Sequence, residues 1–152
     1  MAFVTRKGKK VADIQDFNTY RQSYLLPPER LDAVLLQTVK PTFVRGDYDT
    51  AIFQAFKEVE VRVRKKATLQ NSDIGVALMQ KAFRPGPPPG PLTDQSAEPS
   101  EQVGLMNLFT GAMGVFKNPS SHRTVSVTDP KEVADVIMFA NHLLRIVDGI
   151  EK

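Results

Sequence analysis

The sequence predicts an all-α protein, a bundle of four or five helices joined by mostly short turns. Three observations predict this fold class. Apolar residues recur at helical spacing in several separate segments. No segment of convincing length alternates apolar and polar residues, and residues 124–128 are too short to found a sheet. Clear helix start signals precede several of the apolar segments, and short turns favour antiparallel neighbours.

Size and composition fit one globular domain. A chain of 152 residues, 41% of them hydrophobic, can bury an ordinary core without disulfides. The absence of cysteine excludes a disulfide framework, thiolate catalysis and zinc-finger ligation. Two histidines and no cysteine also make a metal site within one chain improbable, and no cofactor is expected. No signal-length or membrane-length apolar run is present, so we expect a cytoplasmic protein that does not associate with membranes.

The N-terminal part differs from the rest of the chain. Residues 1–28 combine a basic tail, a mixed segment and two final prolines that cannot continue a helix, which predicts a partly ordered arm. Residues 29–152 are then expected to form a single helical domain. The helical spacing of its first segment, residues 29–44, is kinked or ended at Pro41.

The clearest helix begins after Asp47, a plausible N-cap. Its basic end, residues 62–66, is expected to face solvent or a partner. The net charge of +3 does not require a polyanionic partner, so this cluster and the one at residues 6–10 fit solvated surface as well as nucleic-acid contact. A short third helix is expected to open at Ser72 or Asp73. The apolar face of the clearest helix comprises Tyr48, Ile52, Ala55, Phe56, Val59 and Val63.

A proline-rich segment, residues 84–100, holds six of the 11 prolines and cannot be regular structure. A plain connector is the simplest interpretation. Two alternatives stay open: this proline stretch docks into an aromatic groove of a partner protein, or this long loop forms a flap over a binding site.

Two helices follow this loop. The first begins near Ser100 and is interrupted by three glycines, each of which costs about 1 kcal/mol against alanine and so predicts the close approach of another helix. The last has Asp129 as N-cap, Pro130 at its first position and a glutamate three residues after the cap, a capping box. It should end at Gly149. The three glycines are Gly104, Gly111 and Gly114.

The turn between these helices contains the candidate functional residues. Asn118 precedes a proline, which disfavours helical backbone and predicts that the preceding helix stops at about Lys117. In one interpretation the positive charge of Lys117 interacts favourably with the negative end of the helix dipole, and His122 forms a hydrogen bond within the loop. A functional interpretation requires a further observation.

That observation is a family resemblance. FVRGDYDTAIFQAFKEVEVRVR, GVALMQKAF, the proline-rich loop and EQVGLMNLFTGAMGVFKNPSSHR with the last apolar helix closely resemble the bacterial Ymh-type family of uncharacterised proteins, which look like members of the HEPN superfamily. The most specific part is a Gly-Asp-Tyr helix start combined with Phe-Lys-Asn-Pro-x-x-His. The superfamily signature is an arginine, often a polar residue, and a histidine four to six residues on. Here the matching residues are Lys117, Asn118 and His122, so the first departs from the pattern.

The resemblance implies a metal-independent endoribonuclease that cleaves single-stranded or loop RNA. It also implies an HEPN-type bundle that forms a homodimer with a composite site, a role as toxin or phage-defence effector, and an antitoxin or defence-complex partner. His122 would transfer protons, Lys117 would offset phosphate charge and Asn118 would orient either of them. Arg123 is a candidate for substrate binding, or is simply exposed.

Glu60 and Arg64 lie one helical turn apart and form either a pair beneath the site that contributes to substrate binding, or an ordinary surface pair. His142 lies on the polar side of the last helix and is expected to be a solvated or packing residue. Because lysine cannot hold a phosphate in the planar fork of arginine, a non-catalytic helical module that dimerises and binds RNA or protein is the alternative.

Overall fold

The structure is a computed structural model that describes residues 14–118 and 127–151. This part of the chain is helical and contains no strand, which confirms the predicted all-α class. A 3-10 turn at Pro28–Arg30 and π-helical turns at Leu35–Val39 and Met113–Lys117 accompany six α-helices, where the sequence predicted four or five. The α-helices are α1 (Ile14–Ser23), α2 (Lys40–Val44), α3 (Tyr48–Ala67), α4 (Gly75–Phe83), α5 (Pro99–Ala112) and α6 (Pro130–Asp148).

Helix α3 forms the centre of the fold. It packs against α6 on one side and against α4 and the π turn after α5 on another. The Phe56 ring of α3 stacks on Phe116 with centroids 5.0 Å apart and also contacts Phe139 of α6 at 6.2 Å. A second stack, Phe83 on Phe109 at 4.4 Å, joins α4 to α5. These aromatic contacts fix the end of α5 against the central helix.

Both π-helical turns end two residues before a proline of the sequence, Pro41 or Pro119. A proline lacks the N–H of a regular helix, and its ring crowds the carbonyl four residues earlier; a wider turn relieves that crowding. The helix therefore continues through Pro41. Asn118 keeps helical backbone angles, φ −63° and ψ −41°, so the expected departure from the helix at this residue was wrong.

The predicted helix starts hold for α6 and α3 but not for α4. Asp129 caps α6 by accepting a hydrogen bond from the Lys131 N–H at 2.9 Å. Helix α3 begins directly after Asp47, as predicted. Helix α4 begins at Gly75 and not at Ser72 or Asp73, because Gly75 adopts a left-handed backbone with φ +57° immediately before the regular turns.

The proline-rich segment packs on the C-terminal end of α4. Leu92 is buried and its N–H donates to the Ala82 carbonyl at 2.9 Å, while the Gly90 N–H donates to Arg84 at 2.7 Å. A Cβ at Gly90 would lie 2.5 Å from the Ala82 carbonyl oxygen, so only glycine fits there. These bonds satisfy carbonyls that the helix end leaves without partners, which favours the connector interpretation over a flap.

The glycines of α5 do not serve the purpose that the sequence predicted. A Cβ built on Gly104 or on Gly111 meets no atom within 4 Å, so within the described part of the chain no other helix approaches them. Only beside Gly114 does a side chain, that of Val76, come to 4.0 Å. The expectation of close packing at the first two glycines was therefore wrong for this chain taken alone.

Among the helices of residues 14–118 and 127–151, none combines the length and the apolar character that crossing a membrane requires.

Candidate functional site

A buried carboxylate, that of Glu60 on α3, gathers three donors from three elements. The Arg64 guanidinium, one turn further along α3, donates to Oε1 at 2.7 Å. The Gly75 N–H, at the start of α4, donates to Oε2 at 2.8 Å. The Lys117 ammonium, from the π turn after α5, also binds Oε2. We call Glu60, Arg64, Gly75 and Lys117 the Glu60 cluster.

Local structure explains how the cluster forms. Glu60 follows Val59 on the buried face of α3, and its side chain is only 7% exposed. Gly75 has a left-handed backbone conformation, and its N–H points toward this carboxylate. Because a π turn contains more residues than an α turn, it changes the direction in which Lys117 leaves the helix relative to a regular α-helix.

The cluster carries a net positive charge. Burial by itself would raise the pKa of Glu60, but the hydrogen bonds from Lys117 and Gly75 outweigh it, and the pKa lies below its ordinary value. The carboxylate is therefore ionised at neutral pH, and its charge is opposed by two cations. The N-terminus of α4 adds a partial positive charge at the same place.

The structure brings together three of the six predicted site residues, Glu60, Arg64 and Lys117. The predicted pair of Glu60 and Arg64 forms, although it is no surface pair, because Glu60 is buried. Asn118 lies next to the cluster: a Cβ built on Gly75 would be 4.0 Å from its Oδ1. The catalytic and substrate-binding roles given to these residues stay predictions.

The other two predicted site residues, His122 and Arg123, lie outside the described residues. In the sequence His122 follows Lys117 by five residues. His142, the second histidine, is exposed on α6, as expected for a solvated residue.

A family model matches residues 29–147, well over half of the chain. The chain belongs to the Hypoth_Ymh family. Its members are described as proteins of unknown function, which agrees with the resemblance to an uncharacterised Ymh-type family. The same comparisons match no curated protein and no solved structure to the chain. The matched residues of this Hypoth_Ymh protein include the whole Glu60 cluster and His122.

Sequence reasoning missed a second charged cluster in this Hypoth_Ymh protein. Arg62, which was expected to face solvent or a partner, binds Asp32 through two nitrogens at 2.6 and 3.0 Å. It also reaches Asp148 at 3.0 Å and Glu58 at 3.3 Å. We call these four residues the Arg62 cluster. The first partner lies 30 residues away in the chain and the second 86, so no local pattern could have indicated them.

Asn141 on α6 was also missed. It is buried, its Oδ1 accepts from the Asp32 N–H at 2.7 Å and its Nδ2 donates to the Arg30 carbonyl at 2.9 Å. Here a signal existed, because Asn141 falls four residues after Ile137 and three before Leu144 on the apolar face of α6.

An open cleft of about 460 Å³ lies beside the Arg62 cluster, lined by Arg62, Lys65, Lys66 and Asp148. No group of three or more histidine or acidic side chains in the described ranges is placed to hold a metal ion. What the Glu60 cluster offers chemically is a fixed positive charge beside the start of the segment that contains His122.

Proposed function

We propose that this Hypoth_Ymh protein is a metal-independent endoribonuclease of HEPN type that cleaves single-stranded or loop RNA. Lys117, Asn118 and His122 form the site in this proposal. One observation supports it above the others: the buried carboxylate of Glu60 holds Lys117 within a group of net positive charge, five residues before His122. RNA is a polyanion, and its phosphate groups are attracted by such a charge.

The chemistry requires no metal. His122 removes the proton from a ribose 2′-hydroxyl, the 2′-oxygen attacks the adjacent phosphorus, and the bond to the 5′-oxygen breaks. The leaving 5′-oxygen takes a proton, so the products end in a 2′,3′-cyclic phosphate and a 5′-hydroxyl. An imidazole with an ordinary pKa near 6.5 can accept and donate at neutral pH. Lys117 offsets the charge on the non-bridging oxygens, and Asn118 orients the phosphate or the imidazole.

Glu60 and Arg64 act indirectly in this proposal. Glu60 positions Lys117, and Arg64 supports Glu60 while its Nε donates to the Asp73 carbonyl at 2.9 Å. A lysine approaches phosphate as a point charge on a flexible side chain. Because Glu60 already holds the Lys117 side chain, that side chain loses less conformational entropy when RNA binds. Arg123, directly after the histidine, is the proposed second phosphate contact.

The biological setting belongs to the same proposal. The protein acts in the cytoplasm as a homodimer whose two subunits form a composite site. It serves as a toxin or phage-defence effector, beside an antitoxin or another protein of a defence complex.

A second candidate function is a non-catalytic helical module that binds RNA or protein. The observation that favours it concerns the same lysine: the Lys117 side chain is only 13% exposed and its ammonium is bound by Glu60. A phosphate would have to compete with that buried carboxylate. In this alternative the Glu60 cluster stabilises the junction of α3, α4 and the π turn, and any RNA binds without being cut.

The two histidines provide a matched test. Purified protein is incubated with end-labelled RNA, both structured and unstructured, in EDTA, and the product ends are identified. We expect cyclic-phosphate ends from the wild type and from His142→Ala, because His142 is exposed on α6 and is not a member of the Glu60 cluster. We expect His122→Ala to lose at least about a hundredfold in rate, as removal of a general base usually does.

Two outcomes would contradict catalysis. Equal cleavage by wild type, His122→Ala and His142→Ala would indicate a contaminating nuclease. Salt-sensitive RNA binding without any cyclic-phosphate product would favour the non-catalytic module.

A further inference from the structure

Helix α1 presents aromatic side chains on one face. Phe17, Tyr20 and Arg21 lie on α1 and Tyr24 directly follows it, at positions three or four residues apart, which share one side of a helix. The Tyr20 and Tyr24 rings meet edge to face with centroids 4.9 Å apart. The Arg21 guanidinium lies over the Phe17 ring, 5.8 Å from its centre. We call these four residues the α1 face.

The α1 face is open to solvent over much of its area. A helix that packs on a protein core normally buries its apolar side. Here Phe17 and Tyr24 are 41% and 60% exposed, Arg21 is exposed and Tyr20 is partly buried. The first buried residue after α1 is Leu26. Large aromatic side chains that are exposed together on one face indicate a surface that a ligand or partner covers.

Positive charge is concentrated in the same part of the chain. Residues 1–28 contain five basic and two acidic residues, a formal charge of +3, which equals the net charge of the whole protein. Four of the basic residues are at positions 6–10, outside the described residues, and the fifth is Arg21 on the α1 face. Residues 29–152 therefore have no net charge. This distribution favours a polyanion as the ligand of the N-terminal part.

We propose that the α1 face binds the unpaired bases of a single-stranded nucleic acid, which under the proposed function is the RNA substrate. Proteins that hold single strands combine positive charge, which follows the phosphates, with aromatic rings on which bases stack, and arginine adds cation–π contacts. The α1 face has three such rings and a guanidinium. Because the bases of a duplex are stacked on one another, only unpaired bases can reach these rings.

A nucleic acid fits this surface better than a protein partner. Aromatic and arginine side chains also occur in protein interfaces, but a protein would need an acidic surface to match the charge of residues 1–28. Every nucleotide, by contrast, combines a phosphate with a base that has an aromatic face. Charge and stacking are thus matched by one class of ligand.

The α1 face adds a binding surface and no catalytic group. It lies outside residues 29–147, the range that the family model matches, so the family match does not describe it. Lys117, Asn118 and His122 remain the proposed catalytic residues. The inference rests on the proposed function in taking RNA as the ligand, and it gives a physical reason why unpaired RNA would be preferred.

The tyrosine content of the chain provides a direct test. The protein has three tyrosines and no tryptophan, and Tyr20 and Tyr24 both belong to the α1 face. In a variant that combines Tyr48→Phe with His122→Ala, these two give the tyrosine fluorescence and the RNA stays intact. Titration with a short oligouridylate, which remains unpaired, is expected to quench this fluorescence by stacking. Inorganic polyphosphate has the charge without the bases and is expected to leave it nearly unchanged.

The affinity of a labelled oligouridylate for the His122→Ala protein, measured by fluorescence anisotropy, gives a second test. Adding Tyr24→Ala is expected to weaken binding at least about fivefold, as loss of one stacked base does. The slope of log affinity against log salt concentration should not change, because no charge is removed. Val103→Ala is the matched control, since Val103 is 41% exposed on α5 and should bind as before. Circular dichroism verifies that the variants fold.

Three results would overturn the inference. The first is quenching by polyphosphate as strong as that by oligouridylate, which would mean that charge alone is recognised. The second is equal RNA affinity in Tyr24→Ala and Val103→Ala. The third is binding of polyglutamate that Tyr24→Ala abolishes while RNA affinity is unchanged, which would assign the α1 face to an acidic protein. Because these titrations measure binding and not cleavage, the inference and the proposed function can fail separately.

Discussion

Two charged clusters on helix α3 have opposite composition. In the Arg62 cluster one guanidinium is surrounded by three carboxylates, those of Asp32, Glu58 and Asp148. In the Glu60 cluster one carboxylate is surrounded by two cations and a backbone N–H. The named members of the Arg62 cluster, one cation and three carboxylates, sum to a charge of −2, and those of the Glu60 cluster, two cations and one carboxylate, sum to +1. An ion pair therefore says little about function until the charge of its whole group is counted.

The clusters also differ in burial. The Arg62 side chain is 18% exposed and that of Asp148 56%, so water shares in their stabilisation. The Glu60 side chain is 7% exposed and accepts from Arg64, Gly75 and Lys117 together. Loss of one member should therefore be tolerated in the Arg62 cluster and damaging in the Glu60 cluster.

The largest expected effect is that of Glu60→Ala. The substitution leaves two cations and the Gly75 N–H without their common acceptor, and we expect the free energy of unfolding to fall by about 3 kcal/mol. Urea titration measures it. Glu60→Gln, which keeps an acceptor oxygen, should lose less. A loss below about 1 kcal/mol for the alanine variant would mean that the cluster is not a structural anchor.

Arg62→Ala should have a smaller effect, about 1.5 kcal/mol, because it removes hydrogen bonds to a carboxylate that water can still reach in part. The same titration measures it. If Arg62→Ala destabilised the protein more than Glu60→Ala, the order of importance assigned to the two clusters would be reversed.

Acid should weaken both clusters. Hydrogen bonding from Arg62 lowers the pKa of Asp32 against the effect of burial; the pKa of Glu60 is also lowered, with burial opposed by Lys117 and Gly75. A carboxyl whose pKa is lowered in the folded state stabilises the fold at pH values above its ordinary pKa, which is 3.8 for Asp and 4.5 for Glu. This stabilisation is lost as pH falls through the values in the folded state.

Unfolding free energies measured from neutral pH down to about pH 3 test this dependence. Glu60→Gln has no carboxyl to protonate at that position and should show the shallower decline. Parallel curves for Glu60→Gln and the wild type would show that the pKa of Glu60 is not lowered in the folded state.

The smallest expected effect is that of Glu58→Ala. Arg62 keeps its bonds to Asp32 and Asp148, and a pair of residues one helical turn apart contributes only about 0.3 to 0.5 kcal/mol. A loss above about 1 kcal/mol would show that the members of the Arg62 cluster are not interchangeable.

Local patterns in the sequence predicted the parts of the fold that depend on neighbours in the chain. Helical spacing located α3, and the Asp129 and Pro130 signals located the start of α6. The helical backbone of Asn118 could not be predicted, because the proline rule argues against it and the π turn that accommodates the proline depends on packing against α3. The left-handed backbone of Gly75 likewise moved the start of α4.

The candidate site was predictable only in part. The pair of Glu60 and Arg64 follows from their spacing in one helix, but its burial and the contact of Glu60 with Lys117, 57 residues away, do not. The contact between Arg62 and Asp148, which are 86 residues apart, likewise does not follow from local spacing. Charge pairs that join distant elements are set by the fold, and composition does not reveal them.

The central claim is that RNA meets the charge of the Glu60 cluster and not that of the Arg62 cluster. The most direct measurement is the salt dependence of RNA affinity for Lys117→Gln and Arg62→Gln, with circular dichroism to verify that both fold. Each lysine contact with phosphate contributes about one unit to the slope of log affinity against log salt concentration. We expect Lys117→Gln to lower the slope by about that amount and Arg62→Gln to leave it unchanged. Equal slopes in both variants, or a loss confined to Arg62→Gln, would contradict the claim.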